Sequence, residues 1–482
     1  MPHSQPEPQS RTDPPQFGPP QFGPPGRSAA DVAAEEVARK ARRAKVTRAL
    51  VLTGVIVFFA AAAIGMLGYL GYRLGVEALL VGLAAAILPV PVLVACFLWL
   101  DRYEPEPTWA LAFCFGWGAF VSTAIALFVN SSAADIFEKN HISDGLVAVV
   151  VAPFIEELTK ALAPLLLLWF RRREISGITD GIVYCGLSAT GFAMTENILY
   201  LGGHAYSAGA QEYGVNTGLQ LLLATFLVRV LFSAFAHPLF TAMTGIGIGI
   251  AARTASPVVR WLAPFAGLIV AMMLHGTWNL IPTIAAATGQ TILVLYGYFA
   301  LEMPIFLGML GFALWLRAHE GRITVRALPV YVRAGWFTPP EVAALASLTR
   351  RHAARTWAKR VAGDAGKKAM GAFQFAATRL ALVRDGIERG LNDTPQLLAK
   401  AQDEERALLE QIAAAREVFV GRDPQTPRAQ WTGTDYQMVF PDGQTRTVAA
   451  PPEPVVPIPV PMPAPLPPPA WGFPTPSWPV RR

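Results

Sequence analysis

Four short patterns place ionisable or amide side chains inside apolar runs: Glu156, Glu157 and Lys160 in FIEELTKAL, Glu196 and Asn197 in GFAMTENIL, His237 in AHPLF, and His275 and Asn279 in LHGTWNL. A charge at the centre of a bilayer costs at least ~2.5–3.5 kcal/mol, so such groups pair, line a polar cavity or do chemistry. Glu156 and Glu157 precede Lys160 by four and three residues, so on a helix one ammonium can lie near both carboxylates and leave the cluster negative. Adjacent glutamates project about 100° apart, which divides their work. One faces a reaction cavity while the other is held by Lys160 or a neighbouring helix.

Carboxylates and two imidazoles around an intramembrane cavity can activate water, protonate a leaving amine and stabilise an oxyanion. The same set can hold a divalent metal such as zinc through His237, His275 and Glu157, with a position left open for water. No HExxH pattern is present, which excludes a conventional zincin helix. The alternative without chemistry is a structural salt-bridge network.

Whatever positions these groups must be membrane helices. Of 482 residues 53% are hydrophobic and 15% charged, against about 25% charged in soluble domains. Mean hydropathy is +0.37. Apolar segments at about 49–71, 76–100, 108–130, 145–170, 178–201, 218–251, 258–282 and 289–316 are each long enough to span. The expected fold is therefore an all-α polytopic membrane protein of about eight transmembrane helices. Arg229, Ser233, His237, Thr241 and Thr244 form a polar stripe on the sixth segment, where Gly245 and Gly249 permit close approach of a neighbour. His275 and Asn279 share a face of the seventh.

The charge of +6 does not point to nucleic acid, because the basic residues collect in tails and short loops. With eight spans, the basic run at 39–45, Arg102, Arg171 to Arg173, Arg253, Arg260 and the stretch after Arg317 share one side, and only Arg73 and Lys139 fall on the other. That asymmetry puts both termini in the cytoplasm. Cys96, Cys114 and Cys185 lie in apolar segments without CxxC spacing and read as core residues.

Residues 1–48 read as a disordered, Pro-rich and basic tail carrying a PPQFG repeat at Pro14 and Pro19. Residues 49–316 form the membrane domain, and 317–425 a cytoplasmic helical region. Thr338 with Pro339, Pro340 and Glu341 marks a helix start. Further helices are expected at about 366–390 and 394–418, either packed as a module or lying on the anionic inner leaflet. Residues 426–482 hold a short hairpin around Asp442-Gly443 and then a Pro-rich tail, a potential ligand for a cytoplasmic partner.

Taken in order, EExxK at Glu156–Lys160, FxxxEN at Phe192–Asn197, the His237 helix and HxxWN at His275–Asn279 resemble the motifs of the PrsW family of intramembrane proteases. DRYEPEP at Asp101–Pro107 resembles that family's cytoplasmic loop. The likeness covers about residues 76–316 and neither tail. It implies site-specific cleavage of a membrane-embedded protein, as of an anti-sigma factor in envelope-stress signalling, and kinship with CAAX-processing and Abi-type membrane proteases. By position it implies that Glu156 and Glu157 are the catalytic pair. Glu196, His237, His275 and Asn279 would complete the site, supported by Lys160 and Asn197. The wider group often has FxxxH where this chain has Glu196. A proton-coupled transporter using the carboxylates is the competing reading, although no repeat between halves is visible. A silent scaffold is a third.

Overall fold

The computed structural model describes residues 29–172, 175–392, 394–425 and 428–450. The PPQFG repeat, Arg173 and the Pro-rich tail lie outside them. Residues up to Ala61 form one unit and Ala62 onward another. The first unit is helical from Ala29, within α1 (Ala29–Leu74).

The second unit is almost entirely helical, as its composition requires. Helices α2 (Val76–Ile87) and α3 (Val90–Leu100) share one apolar segment divided at Pro89, where the ring removes a backbone donor. Helix α4 (Thr108–Gly116) continues through a π-helical turn, Trp117–Ser122, into α5 (Thr123–Lys139). A second π turn, Val147–Val151, opens α6 (Ala152–Phe170). Helix α7 (Ile178–Ile198) runs on through Leu199–Ser207 into α8 (Ala208–Tyr213). The helix bearing Glu196 therefore extends well past its expected end near 201.

The sixth expected segment is not one straight helix. It consists of α9 (Val215–Phe226), a π turn at Leu227–Phe232, a break at residues 233–235, and α10 (Ala236–Ala252). Pro238 accounts for the break: it lacks an N–H and tolerates only the first turn of a helix. Helices α11 (Pro257–Thr288), α12 (Ile292–Gly297) and, after a π turn at Tyr298–Glu302, α13 (Met303–Ala327) complete the membrane part.

Six helical stretches among the described residues are long and apolar enough to cross a membrane. The two that hold Glu156 and Glu196 are not among them, although both are helical over the expected ranges. Helix α7 is the hub, with 18 of its 21 residues buried. Its contact with α10 is backbone on backbone: a Cβ on Gly245 would collide with the Gly181 carbonyl, and one on Gly249 with Ile178. This is the close approach expected of Gly245 and Gly249.

Beyond α13 come α14 (Pro329–Arg333), α15 (Pro339–Leu345), α16 (Leu348–Glu388) and α17 (Pro395–Glu417). They pack as a module around Leu328, Tyr331, Phe337, Phe373, Leu380 and Ile412, rather than as separate amphipathic helices. Helix α15 starts where Thr338 N–H donates to the Glu341 carboxylate at 2.7 Å, and α16 is kinked at Ala362–Gly363, where the sequence suggested two helices. Strands β1 (Ala429–Trp431), β2 (Asp435–Val439) and β3 (Thr445–Ala449) make an antiparallel sheet. The β2–β3 pair is the hairpin expected around Asp442-Gly443. The additional strand β1 gives it a packed face of Trp431 and Tyr436.

The loop between α3 and α4 is clamped by this module. Tyr103 donates its hydroxyl to the Ala346 carbonyl at 2.8 Å, Arg351 donates to the Tyr103 carbonyl at 3.0 Å, and Arg379 bridges Glu104 and Glu404. Asp385 pairs with Arg253, Arg326 and Arg389. Inside the same loop, burial pushes Asp101 up to about 9 and Glu106 up to about 11, so both hold protons at neutral pH. The folded chain thus keeps protons that the unfolded chain releases above about pH 4, and stability falls as pH rises from there toward the folded values. Thermal unfolding in detergent is expected to drop by several degrees between pH 6 and pH 9. Glu106→Gln, which keeps the neutral form at every pH, should flatten that slope.

Candidate active site

Most of the polar residues singled out in the sequence converge from four helices and one π turn; Asn279, Ser233 and Thr244 stand apart. Helix α6 supplies Glu156, Glu157 and Lys160, all buried, the last two completely. Helix α7 supplies Phe192, Glu196 and Asn197, α10 supplies His237 and Thr241, and α11 supplies His275.

Lys160 sits at the centre. Its Nζ lies 2.9 Å from Glu157 Oε1, 3.4 Å from Glu156 Oε2 and 3.0 Å from His237 Nδ1, and 4.1 Å over the Phe192 ring. The two glutamates then differ sharply. Glu157 is locked: Oε2 accepts from Thr241 Oγ1 at 2.7 Å, and Oε1 receives both Lys160 and His275 Nδ1, the latter at 2.9 Å. Glu156 is held by the long Lys160 contact and by Asn130 Nδ2, 3.3 Å from Oε1. Its Oε2 faces His275 Nε2 across 3.8 Å.

The hydrogen bonds fix the imidazoles. A carboxylate only accepts, so His275 donates from Nδ1 to Glu157 and turns the lone pair of Nε2 toward Glu156. His237 donates from Nε2 to Glu196 Oε2 at 2.9 Å and accepts from Lys160 at Nδ1. The rings stand edge to face with centroids 5.0 Å apart. On the far side, Arg229 donates to Glu196 Oε2 at 2.6 Å and to Asn197 Oδ1 at 2.9 Å. Three carboxylates against Lys160 and Arg229 leave one negative charge unmatched, and Glu156 is the least tightly held.

This geometry suits a divalent cation. His275 Nε2 and Glu156 Oε2 are two acceptors with no proton to share, and one ligand atom each from Glu156, His237 and His275 lie within 4.8 Å of one another. Tetrahedral ligands at zinc distances of about 2.0–2.2 Å stand somewhat over 3 Å apart, so the three atoms would have to draw together by about 1 Å or more, and His237 Nδ1 would have to part from Lys160. The carboxylate in this group is Glu156. Glu157, the ligand expected from the sequence, has both oxygens committed elsewhere.

Asn279 departs from its expected place as well. Its amide donates to the Ala148 carbonyl at 2.9 Å, bracing the π turn before α6. Two participants were not assigned roles from the sequence. Asn130 stood at the expected end of the third span, whereas α5 carries it alongside Glu156. Arg229 was visible in the polar stripe, yet only the fold shows that it meets Glu196.

A polytopic helical protein with a buried carboxylate–histidine cluster has the groups that an intramembrane hydrolase requires. Residues 106–309 match the model of the PrsW family of intramembrane metalloproteases. The chain is 28% identical over 215 residues to Protease PrsW of Clostridioides difficile (strain 630), covering 43% of this chain and 82% of that protein. It is 29% identical over 204 residues to Protease PrsW of Bacillus subtilis (strain 168), covering 42% and 82%. No solved structure matches. Residues 106–309 thus carry the likeness to the PrsW family, and that likeness supports an intramembrane protease. The chain is a multi-pass membrane peptide hydrolase, and the carrier and scaffold readings give way to that activity.

Proposed function

We propose that this protease cuts a single-pass membrane protein, such as an anti-sigma factor, with Glu156 as the carboxylate that works on water. The observation that carries the assignment is the asymmetry of the pair: Glu157 is fully enclosed by Lys160, Thr241 and His275, while Glu156 keeps one loosely held oxygen opposite a free imidazole nitrogen. Glu156 takes a proton from water as the water oxygen bonds to the scissile carbonyl carbon, and that proton passes to the amide nitrogen as the C–N bond breaks. Glu157 fixes His275 and Lys160, and Glu196 fixes His237. A divalent metal would be held by Glu156, by His275 Nε2 and, once parted from Lys160, by His237 Nδ1, and it would supply Lewis-acid activation of the water in place of Glu156 acting alone as base.

Eight crossings with both termini in the cytoplasm fit the basic side of the chain, and the module beyond residue 316 then lies on the inner face. The experiment is substrate capture: Glu156→Gln, purified with a co-expressed library of single-pass proteins, should retain one that the unmodified enzyme releases as fragments. Elemental analysis of the same preparation should find close to one equivalent of zinc or another divalent ion, and a chelator should stop cleavage. Full activity after complete metal removal would rule out the metal part. A captured protein that the unmodified enzyme leaves uncut would rule out the rest.

A further inference from the structure

We propose that Arg229 is a catalytic residue of this site, donating from its Nη1 edge to the carbonyl oxygen of the peptide bond being cut. The inference rests on the placement of Glu156 argued above. Two cations serve the cluster, and they differ in access. Lys160 is completely enclosed, with Glu156, Glu157, His237 and the Phe192 ring around it. Arg229 has a side chain 25% exposed, the most open of the charged groups here.

The guanidinium is held on two sides. Its Nε and Nη2 grip Asn197 and Glu196, and one face lies 3.6 Å from the Tyr200 ring centroid. Nη1 makes neither of the bonds to Asn197 and Glu196, only the neutral Tyr200 hydroxyl among the described residues lies within reach of the guanidinium besides them, and Nη1 is not one of the shielded unpaired atoms. A planar fork fixed along one edge and one face presents its remaining edge in a defined direction. Arg229 also sits in the π turn just before the break in the sixth segment. Glu196 Oε2 takes both Arg229 and His237, so it ties together the two sides of that break.

A substrate helix must unwind to be cut, and its freed carbonyls need donors in a medium that offers no water. The amide of Asn279, which the family resemblance would put in the site, is spent on Ala148. As water attacks, the π pair of the scissile C=O moves onto oxygen, and it returns when the C–N bond breaks. A fixed donor at that oxygen is worth about 10²–10³ in kcat.

The test uses full-length enzyme in lipid vesicles. The probe is a synthetic single-pass helix with a Gly-Pro pair in its outer half, made with either an amide or a thioamide at the cut bond. A sulfur acceptor hydrogen-bonds poorly, so the unmodified enzyme should cut the thioamide much more slowly. Arg229→Lys keeps a charge for Glu196 but loses the fork. Its kcat on the amide should fall about 10²-fold with KM nearly unchanged, and its amide-to-thioamide ratio should shrink toward one. Arg229→Gly should recover cleavage with added guanidinium, together with the thioamide penalty. An unchanged ratio in Arg229→Lys would overturn the proposal even if activity falls, because Arg229 would then act only through Glu196. If Glu156→Gln cuts the amide probe normally, the reading of the site itself fails, whatever Arg229 does.

Discussion

Glu156→Gln is expected to lower cleavage of a co-expressed single-pass reporter by about 10²–10⁴, the range for losing a general base, while folded protein accumulates normally. Glu157→Gln should look different. It removes one charge from a fully buried pair with Lys160 and weakens the bond that orients His275. Breaking such a pair costs about 3–5 kcal/mol. Its signature is therefore a lower unfolding temperature and less membrane-inserted protein, with activity lost as a consequence. Both variants can be read side by side by cleavage in vesicles and thermal unfolding in detergent. A Glu157→Gln enzyme that is as stable as the parent but inactive, beside an active Glu156→Gln, would reverse the assignment.

Gly245→Val is the second large effect. Gly245 lies against the Gly181 carbonyl, with no room for a side chain and backbone rather than a flexible side chain in the way. A branched residue has to push α10 from α7, and those two helices carry His237 and Glu196, which are 2.9 Å apart. Overpacking of this kind costs about 1–3 kcal/mol or more. Activity should vanish even where the protein still inserts, because a shift of about 1 Å in positioned groups costs about 10²-fold. Gly308→Val is the control, since a Cβ there meets nothing within 4 Å. Equal cleavage by both variants would show that the α7–α10 contact does not set the site.

Much of this was legible in the chain, for definable reasons. Helix periodicity placed Lys160 within reach of both Glu156 and Glu157, and small residues at 245 and 249 announced a tight crossing. The division of labour between the glutamates was expected from their angular separation, but which one is locked depends on Thr241 and His275, which arrive from helices far along the sequence. Pro238 signals the break at 233–235, while the polar residues at 229, 233, 237, 241 and 244 suggest one continuous helix. Apolar composition alone hid the π turns, which look like any other hydrophobic stretch. Asn130 lies where apolar composition ends the third span, although α5 continues to Lys139. Asn279 shares a helical face with His275, yet its amide reaches back to Ala148 rather than into the cluster.

The clamp on the loop at 101–107 sets a limit on how far this enzyme can be trimmed. The family match ends at residue 309, which invites cutting the chain just after the last apolar helix. Doing so would strip this end of the helices of its counterions: Arg253 would lose Asp385, Glu104 would lose Arg379, and the Tyr103 hydroxyl and carbonyl would lose Ala346 and Arg351. The residue 309 boundary thus marks where sequence likeness stops, whereas the contacts that hold the loop at 101–107 continue through α16.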